Sequence, residues 1–271
     1  MRTTRLTALA QRKGQKVYAK ISNSVGRTFV ARWIRAYRAH IIKITTSGYI
    51  PKPNLRMWKI VRAFFRLWCF IQIGKVRVVG AENFNAPGRV IFCANHGSLL
   101  DAQVLFPIAP RPLRTMGAYE ILRKFCGLVG LVMTSIGVFA VDRSNGATVI
   151  GPATDLLVSG ESLAMAPEAK ISPTGDLLTF KHGAAVIAKA AYDRLMGKER
   201  VGIVPVHIHY HKRHAASALN YGRMWLRWRG GVTVTVLPPI WINDLADQDP
   251  DHVILLVRDA IAAVQASWQT A

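Results

Sequence analysis

From position 75 onward, short runs rich in Val and Ile alternate with longer segments of helical spacing, and this alternation restricts the fold more than any other feature of the chain. The apolar runs are residues 75–79, 90–94, 137–141, 162–166, 201–210 and 232–237. The helical patterns are residues 99–108, 119–130, 148–158, 181–193 and 253–268. Strands interleaved with helices in this way predict an α/β domain, with a single mixed, largely parallel sheet flanked by helices. The 271 residues suffice for one large domain, or one domain with an appendage. No internal repeat or low-complexity segment interrupts the pattern.

The charge is concentrated at the N-terminal side of the chain. The first 81 residues hold 18 Lys or Arg and no Asp or Glu, so they supply +18 of the formal +21. On a helical wheel of residues 27–43, Phe29, Val30, Trp33, Ile34, Tyr37 and Ile41 share one half, and Arg32, Arg35, Arg38 and Lys43 share the other. Residues 45–53 contain Gly48, Pro51 and Pro53 and read as a break. A second helix is expected over 55–73, with Lys59, Arg62 and Arg66 on one side and Val61, Phe64, Phe65 and Trp68 opposite. Basic amphipathic helices with aromatic residues suit the headgroup region of an anionic membrane surface. The competing readings are a helix packed on a core with a solvated basic face, nucleic-acid binding, and, for residues 1–20, an organelle transit peptide. No RNA-binding or zinc-finger signature accompanies the charge. The expected division is therefore a basic, membrane-associating helical region at 1–74 and an α/β domain at 75–271.

The longest uncharged run, residues 125–141, is broken by Gly127, Gly130, Gly137, Thr134 and Ser135. It falls short of the roughly 20 apolar residues of a spanning helix, and it is expected to be a buried helix followed by a strand. Cys69, Cys93 and Cys126 are odd in number and sit in apolar surroundings, which predicts small core residues in a reducing compartment and no disulfide framework.

Four blocks stand out, three of which carry polar groups suited to chemistry. The first is Asn95-His96-Gly97-Ser98-Leu99-Leu100-Asp101. Imidazole titrates near neutrality and can take a proton from a hydroxyl, while a carboxylate on its other nitrogen fixes the tautomer. On a continuous helix, positions five apart point about 140° apart. The pair therefore meets only if the chain turns, for which Gly97 and Ser98 are suited, with Ser98 capping a helix that starts near Leu99. The second block runs from Gly137 to Arg143, a strand leading to a lone arginine. The third is Ala166-Pro167-Glu168-Ala169-Lys170, with Phe180-Lys181-His182-Gly183 close behind. The fourth is Ile203-Val204-Pro205-Val206.

In order and spacing, these blocks make the chain resemble the glycerolipid acyltransferase family, the 1-acylglycerol-3-phosphate O-acyltransferase group. That family carries Asn-His-x4-Asp, a strand ending on Arg, Phe-Pro-Glu-Gly-Thr-Arg-Ser, and an apolar Val-Pro block. The resemblance covers roughly residues 75–237. It implies that His96 is the general base and Asp101 its orienter, for attack of a lysophospholipid hydroxyl on an acyl thioester of CoA or acyl carrier protein. It implies no cofactor and no covalent acyl-enzyme. Arg143 would hold the acceptor's phosphate and Glu168 its glycerol, with Lys170 and Lys181 as candidate phosphate contacts; a guanidinium grips phosphate bidentately, and a carboxylate accepts from hydroxyls. The third block departs from the family, having Glu168-Ala169-Lys170-Ile171 where Glu-Gly-Thr-Arg stands. Ala169 restricts the backbone where glycine is free, and the missing arginine points to another lysophospholipid or amphipathic alcohol as a second possible acceptor. The expected location is peripheral, at the cytoplasmic face of the cell membrane.

Other polar clusters compete with this reading. His207, His209 and His211 alternate along one strand and share a face. They lack a nearby acid or cysteine to complete a metal site, so none is expected. Trp225 and Trp228 with Arg223, Arg227 and Arg229 form a second basic aromatic patch. A hydrolase of the same thioesters and a non-catalytic lipid-binding protein remain as alternative functions.

Overall fold

The computed structural model describes residues 29–98, 100–142, 144–172, 176–211 and 230–269. The chain divides into two compact units, Met1–Lys43 and Ile44–Ala271. The described part of the first belongs to helix α1 (Phe29–Ile44). Its basic residues Arg32, Arg35, Arg38 and Lys43 are exposed, as are Trp33 and Ile34, and the Trp33 ring stacks on Tyr37 at 5.8 Å.

In the second unit, helix α2 (Leu55–Gln72) starts where the Asn54 side chain accepts from the backbone N–H groups of Arg56 and Met57, filling two of the donors that a helix leaves open. It ends at Gly74, whose φ of 85° lets its N–H turn back onto the Cys69 carbonyl. Trp58, Val61 and Cys69 are buried, and Cys69 Sγ donates to the Gln103 carbonyl of helix α3 (Asp101–Ile108). The packing boundary therefore falls at 43/44 and not at the expected 74/75, because α2 belongs to the α/β unit. A second apolar stripe of α2, Ile60, Phe64, Leu67 and Ile71, stays exposed beside Lys59 and Arg66.

Among the described residues the sheet has eight strands. They are β1 (Val76–Val79), β2 (Arg89–Ala94), β3 (Arg114–Ala118), β4 (Phe139–Val141), β5 (Leu163–Met165), β6 (Val201–Tyr210), β7 (Val232–Val236) and β8 (Ile240–Trp241). The order is β1-β7-β6-β2-β5-β3-β4, with β8 also on β6. The pairs of β6 with β7 and β8 are antiparallel and all others are parallel. The mixed, largely parallel sheet expected from the alternation is present. Helices α4 (Tyr119–Leu122), α5 (Leu128–Ser135), α6 (Ile150–Val158), α7 (Gly183–Arg194) and α8 (Pro250–Gln269) complete the unit.

Strand parity builds two cores. Ile91, Cys93, Val201 and Ile203 face the cluster that includes Leu157, Ala188 and Val257 of α6, α7 and α8. Val90, Phe92, Ala94, Val204, Val206, Ile208 and Tyr210 face the cluster that includes Cys69 of α2 and Val104 of α3. The buried Arg114 side chain donates through Nη2 to the Pro51 carbonyl at 2.6 Å and meets Glu161 at 3.3 Å, fastening the segment before α2 to the sheet.

Three expectations change. The helical pattern over 119–130 is broken into α4 and α5, because Phe125, Cys126 and Gly127 all take positive φ. The uncharged run from 125 accordingly begins with an exposed Phe125 and not a buried helix. Cys126 is exposed too, whereas Cys69 and Cys93 are core residues, and burial pushes the Cys69 thiol up to about 11. Among the described residues no helix is long and apolar enough to cross a membrane.

Candidate active site

The parallel strands β2 and β5 are neighbours, pairing Ile91 with Leu163 and Cys93 with Met165. Their carboxyl ends therefore deliver the first and third blocks to one place, the edge where open α/β sheets bind ligands. On the other side of β2 lies the fourth block, with Cys93 opposite Pro205 and Ala94 opposite Val206. Beyond Ala94 the strand pairing continues through a side chain. Asn95 Nδ2 donates to the Ile208 carbonyl at 3.2 Å, and Ile208 N donates to Asn95 Oδ1 at 2.7 Å.

His96 is held by both of its backbone groups. Its N–H donates to Glu168 Oε1 at 2.8 Å, and its carbonyl accepts from Ser172 N at 2.9 Å. The chain then turns, and α3 begins at Asp101, two residues later than the expected start at Leu99. Ser98 Oγ does not cap that helix; it accepts from Leu100 N at 3.2 Å within the turn. The consequence is that Asp101 stands at the first helical position, where the helix dipole favours a carboxylate. Asp101 Oδ2 lies 2.9 Å from His96 Nδ1 and accepts from Ser98 N at 2.9 Å. Asp101 Oδ1 accepts from the Tyr210 hydroxyl at 2.8 Å. Asp101 is 4% exposed, while the His96 side chain is 21% exposed. With Nδ1 donating to the carboxylate, Nε2 is the basic nitrogen of the ring.

Glu168 takes a different part from the one expected of it. It is 3% exposed, and its second oxygen accepts from Leu178 N at 3.1 Å. Burial pushes its carboxyl above the usual carboxylate range, against the two backbone donors that favour the charged form. Both oxygens are thus engaged in bracing the His96 loop to the segment near 178, and the side chain is not presented as an open acceptor for substrate hydroxyls. The turn that positions it places Ala169 at a φ of 57°, with Ala169 N on the Ala166 carbonyl at 3.1 Å. That is the left-handed region, which favours glycine. Lys181 N donates to the Pro167 carbonyl at 2.9 Å, so Lys181 runs beside the third block. Lys170 and Lys181 are both exposed.

Arg143 lies outside the described residues, as do residues 1–28, which include the transit-peptide reading, and the Trp225–Arg229 patch. The strand leading to it, β4, ends at Val141. It stands three strand intervals from β2, about 14 Å at the usual spacing. After it, Asp142 Oδ1 accepts from Ser144 N and Oγ, which holds that carboxyl below its ordinary value.

An apolar cavity opens between α2 and α3, and its lining includes Ala102, the residue after Asp101. Trp58 and Phe65 of α2, Phe106 of α3, and Met133, Ile136 and Val138 line it. On the opposite face of β6, His209 stacks on Trp268 of α8 at 4.7 Å and His211 meets the same indole edge-on. Among the described residues no group of three His, Cys, Asp or Glu side chains is arranged to hold a metal.

Strand pairing and burial had to be seen before Asn95, Ser172 and Tyr210 could join the site. Tyr210 had a usable signal. It alternates with His207, His209 and His211, which puts it on the face they avoid.

A family model described as Acyltransferase matches residues 75–209. The chain is similar to human 1-acyl-sn-glycerol-3-phosphate acyltransferase beta, 33% identical over 123 residues, covering 43% of this chain and 40% of that protein. It is similar to 1-acyl-sn-glycerol-3-phosphate acyltransferases of Cocos nucifera, 26% identical over 71% of this chain and 58% of that one, and of Borreliella burgdorferi, 23% identical over 74% and 76%. It therefore spans about two fifths and about three fifths of the first two relatives. The crystal structure of the 1-acyl-sn-glycerophosphate (LPA) acyltransferase PlsC from Thermotoga maritima has the same fold, with a TM-score of 0.58, 20% identity and 98% of each chain covered.

Proposed function

Because the chain belongs to the glycerolipid acyltransferase family, we propose that it moves a fatty acyl group from an acyl thioester, carried by CoA or acyl carrier protein, to the hydroxyl of a lysophospholipid in phospholipid synthesis. The observation that carries this reading is the His96 Nδ1 to Asp101 Oδ2 contact of 2.9 Å at the end of β2, which leaves Nε2 as a base. In the step, Nε2 takes the proton of the acceptor hydroxyl as its oxygen bonds to the thioester carbonyl carbon. Asp101 stabilises the imidazolium that forms. The tetrahedral adduct then breaks its C–S bond, and His96 returns the proton to the departing thiolate. The ester and the free thiol are the products, and no cofactor takes part.

The cavity between α2 and α3 has the chemistry for the acyl chain, since aromatic and aliphatic side chains line it and α3 begins at Asp101. The exposed stripe of Ile60, Phe64, Leu67 and Ile71, with Lys59 and Arg66 beside it, suits an anionic bilayer surface. The site would then work as a peripheral enzyme at the cytoplasmic face. For the acceptor, 1-acylglycerol-3-phosphate is the first candidate and Arg143 its phosphate ligand, with Lys170 and Lys181 as further contacts. Ile171 in place of the family's arginine favours a second reading, in which the acceptor is a lysolipid without a phosphomonoester.

The test is an acyl-CoA assay against a panel of lysolipids that includes lysophosphatidate and lysophosphatidylcholine. His96→Ala abolishes transfer while the protein stays folded; near-normal turnover in that variant sinks the proposal. Release of free fatty acid without an acceptor marks a hydrolase instead, and liposome binding without any turnover marks a lipid-binding protein.

A further inference from the structure

The two oxygens of Asp101 have separate partners. Oδ2 serves His96 Nδ1 and Ser98 N, and Oδ1 serves the hydroxyl of Tyr210, 109 residues further along. Tyr210 is the last residue of β6, past the stretch paired with β2, and it is 8% exposed. Its backbone is set by pairing with Val232 of β7, and the Asn95 clamp on Ile208 fixes the distance between β6 and the His96 loop. The phenol therefore comes from a rigid sheet, whereas Asp101 stands at the tip of a short helix that follows a turn.

We propose that Tyr210 is a positioning residue for acyl transfer, locking the rotation of the Asp101 carboxylate and tempering its hold on the His96 imidazolium. The proposal rests on the acyl-transfer reading. A carboxylate with only Oδ2 anchored turns about its Cβ–Cγ bond, and misplacement on the scale of 1 Å at a general base costs rate. A hydroxyl donating to Oδ1 also draws charge from the carboxylate, so that less of it is directed at the imidazolium. Among the described residues, Glu168 is a charged group that meets the pair, on the His96 backbone from the β5 side. His209 of β6 and His211 just past its end lie on the opposite face of the strand, against Trp268, and the His207 ring lies beside His209.

Tyr210→Phe keeps the buried ring and removes only the hydroxyl. Turnover number should fall by about tenfold, the effect of one lost hydrogen bond to a charged group, while KM for thioester and acceptor stays within about twofold. The acid limb of the pH–rate profile should move to higher pH, because the carboxylate now holds the imidazolium more strongly. A residue that merely fills space moves neither quantity once thermal denaturation shows the variant folded.

A second readout needs no turnover. The His96 ring signals, identified by their loss in His96→Gln, should titrate at higher pH in Tyr210→Phe than in the parent protein. If the parent transfers no acyl group to any lysolipid, the acyl-transfer reading fails, and the ring titration still decides whether Tyr210 tunes the pair. An unchanged titration, or a raised KM with unchanged turnover number, overturns the proposal.

Discussion

Replacing Asp101 by Asn tests the His–Asp pair more sharply than any truncation, because the structure fixes which way the amide must sit. Three donors face the carboxylate: His96 Nδ1 and Ser98 N at Oδ2, and the Tyr210 hydroxyl at Oδ1. Ser98 N is a backbone donor and cannot reverse its role, so it selects the amide oxygen for its side. The amide NH2 then faces Tyr210, whose hydroxyl can rotate and accept. All partners remain satisfied, and Nδ1 of His96 keeps its proton. The sequence assigns Asp101 the task of fixing the tautomer; with Ser98 and Tyr210 in place the tautomer survives the exchange, and what is lost is the charge.

That loss has a calculable scale. Unit charges about 4 Å apart interact by about 4 kcal/mol at an effective dielectric of about 20. If the proton is between half and fully transferred in the transition state, about 2–4 kcal/mol of stabilisation disappears. At about 1.36 kcal/mol per decade this is a fall of roughly 30-fold to 1000-fold in turnover number. Asp101→Asn should therefore unfold at close to the parent's temperature, keep the Nδ1–H tautomer in nitrogen-resolved NMR, and lose activity within that range. Activity within threefold of the parent in a folded variant would refute the role given to the carboxylate. Inversion of the tautomer would refute the argument from Ser98 and Tyr210. Asp101→Ala should behave differently, since it strands buried donors at about 1–3 kcal/mol each and destabilises the fold as well.

Three further outcomes follow from the neighbouring residues. Ala169 adopts a φ of 57°, which costs an L-residue about 1–2 kcal/mol, and glycine gives back about 0.4–1 kcal/mol through its freer unfolded chain; Ala169→Gly should stabilise the protein by about 0.5–1 kcal/mol in chemical denaturation, and a destabilised variant would contradict the turn. Burial raises the Glu168 carboxyl above its ordinary value, so the stability its protonated form contributes is complete below the ordinary glutamate range and is lost as pH rises through the raised folded value; denaturation curves from pH 4 upward should show that fall in the parent and not in Glu168→Gln. Phe64 and Leu67 are 57% and 60% exposed, so replacing both by Asp should leave the thermal midpoint nearly unchanged while lowering partition onto anionic vesicles more than 100-fold, at about 1.5–3 kcal/mol of burial for each side chain; unchanged vesicle binding would remove α2 from the membrane contact.

Six of the eight strands were legible as short apolar runs, most of them rich in Val and Ile, and the order of the chemical blocks was legible because each follows or lies within such a run. What composition could not supply was adjacency. β3 reads Arg-Thr-Met-Gly-Ala, without a β-branched run, and its buried Arg114 is the residue type least suggestive of a strand interior. β2 lies between β5 and β6, a placement that depends on which helices cross which face and leaves no local mark. For the same reason Tyr210 could be assigned a face of its strand but not a partner.

The third block shows how far motif and geometry separate. Its departure from the family at Ala169 suggested a restricted backbone, yet the left-handed turn that a glycine would adopt freely is retained with alanine in it. A turn kept despite that cost is a turn that something else requires, and the two hydrogen bonds of Glu168 to His96 and Leu178 supply the requirement. The block therefore divides by burial. Glu168 is buried and braces the His96 loop. Lys170 points outward, and with Ile171 it replaces the residues that the family uses beyond the glutamate. Acceptor preference should accordingly follow exchanges at 170 and 171 without loss of the His96–Asp101 geometry, whereas exchanges at 168 should damage transfer to every acceptor alike.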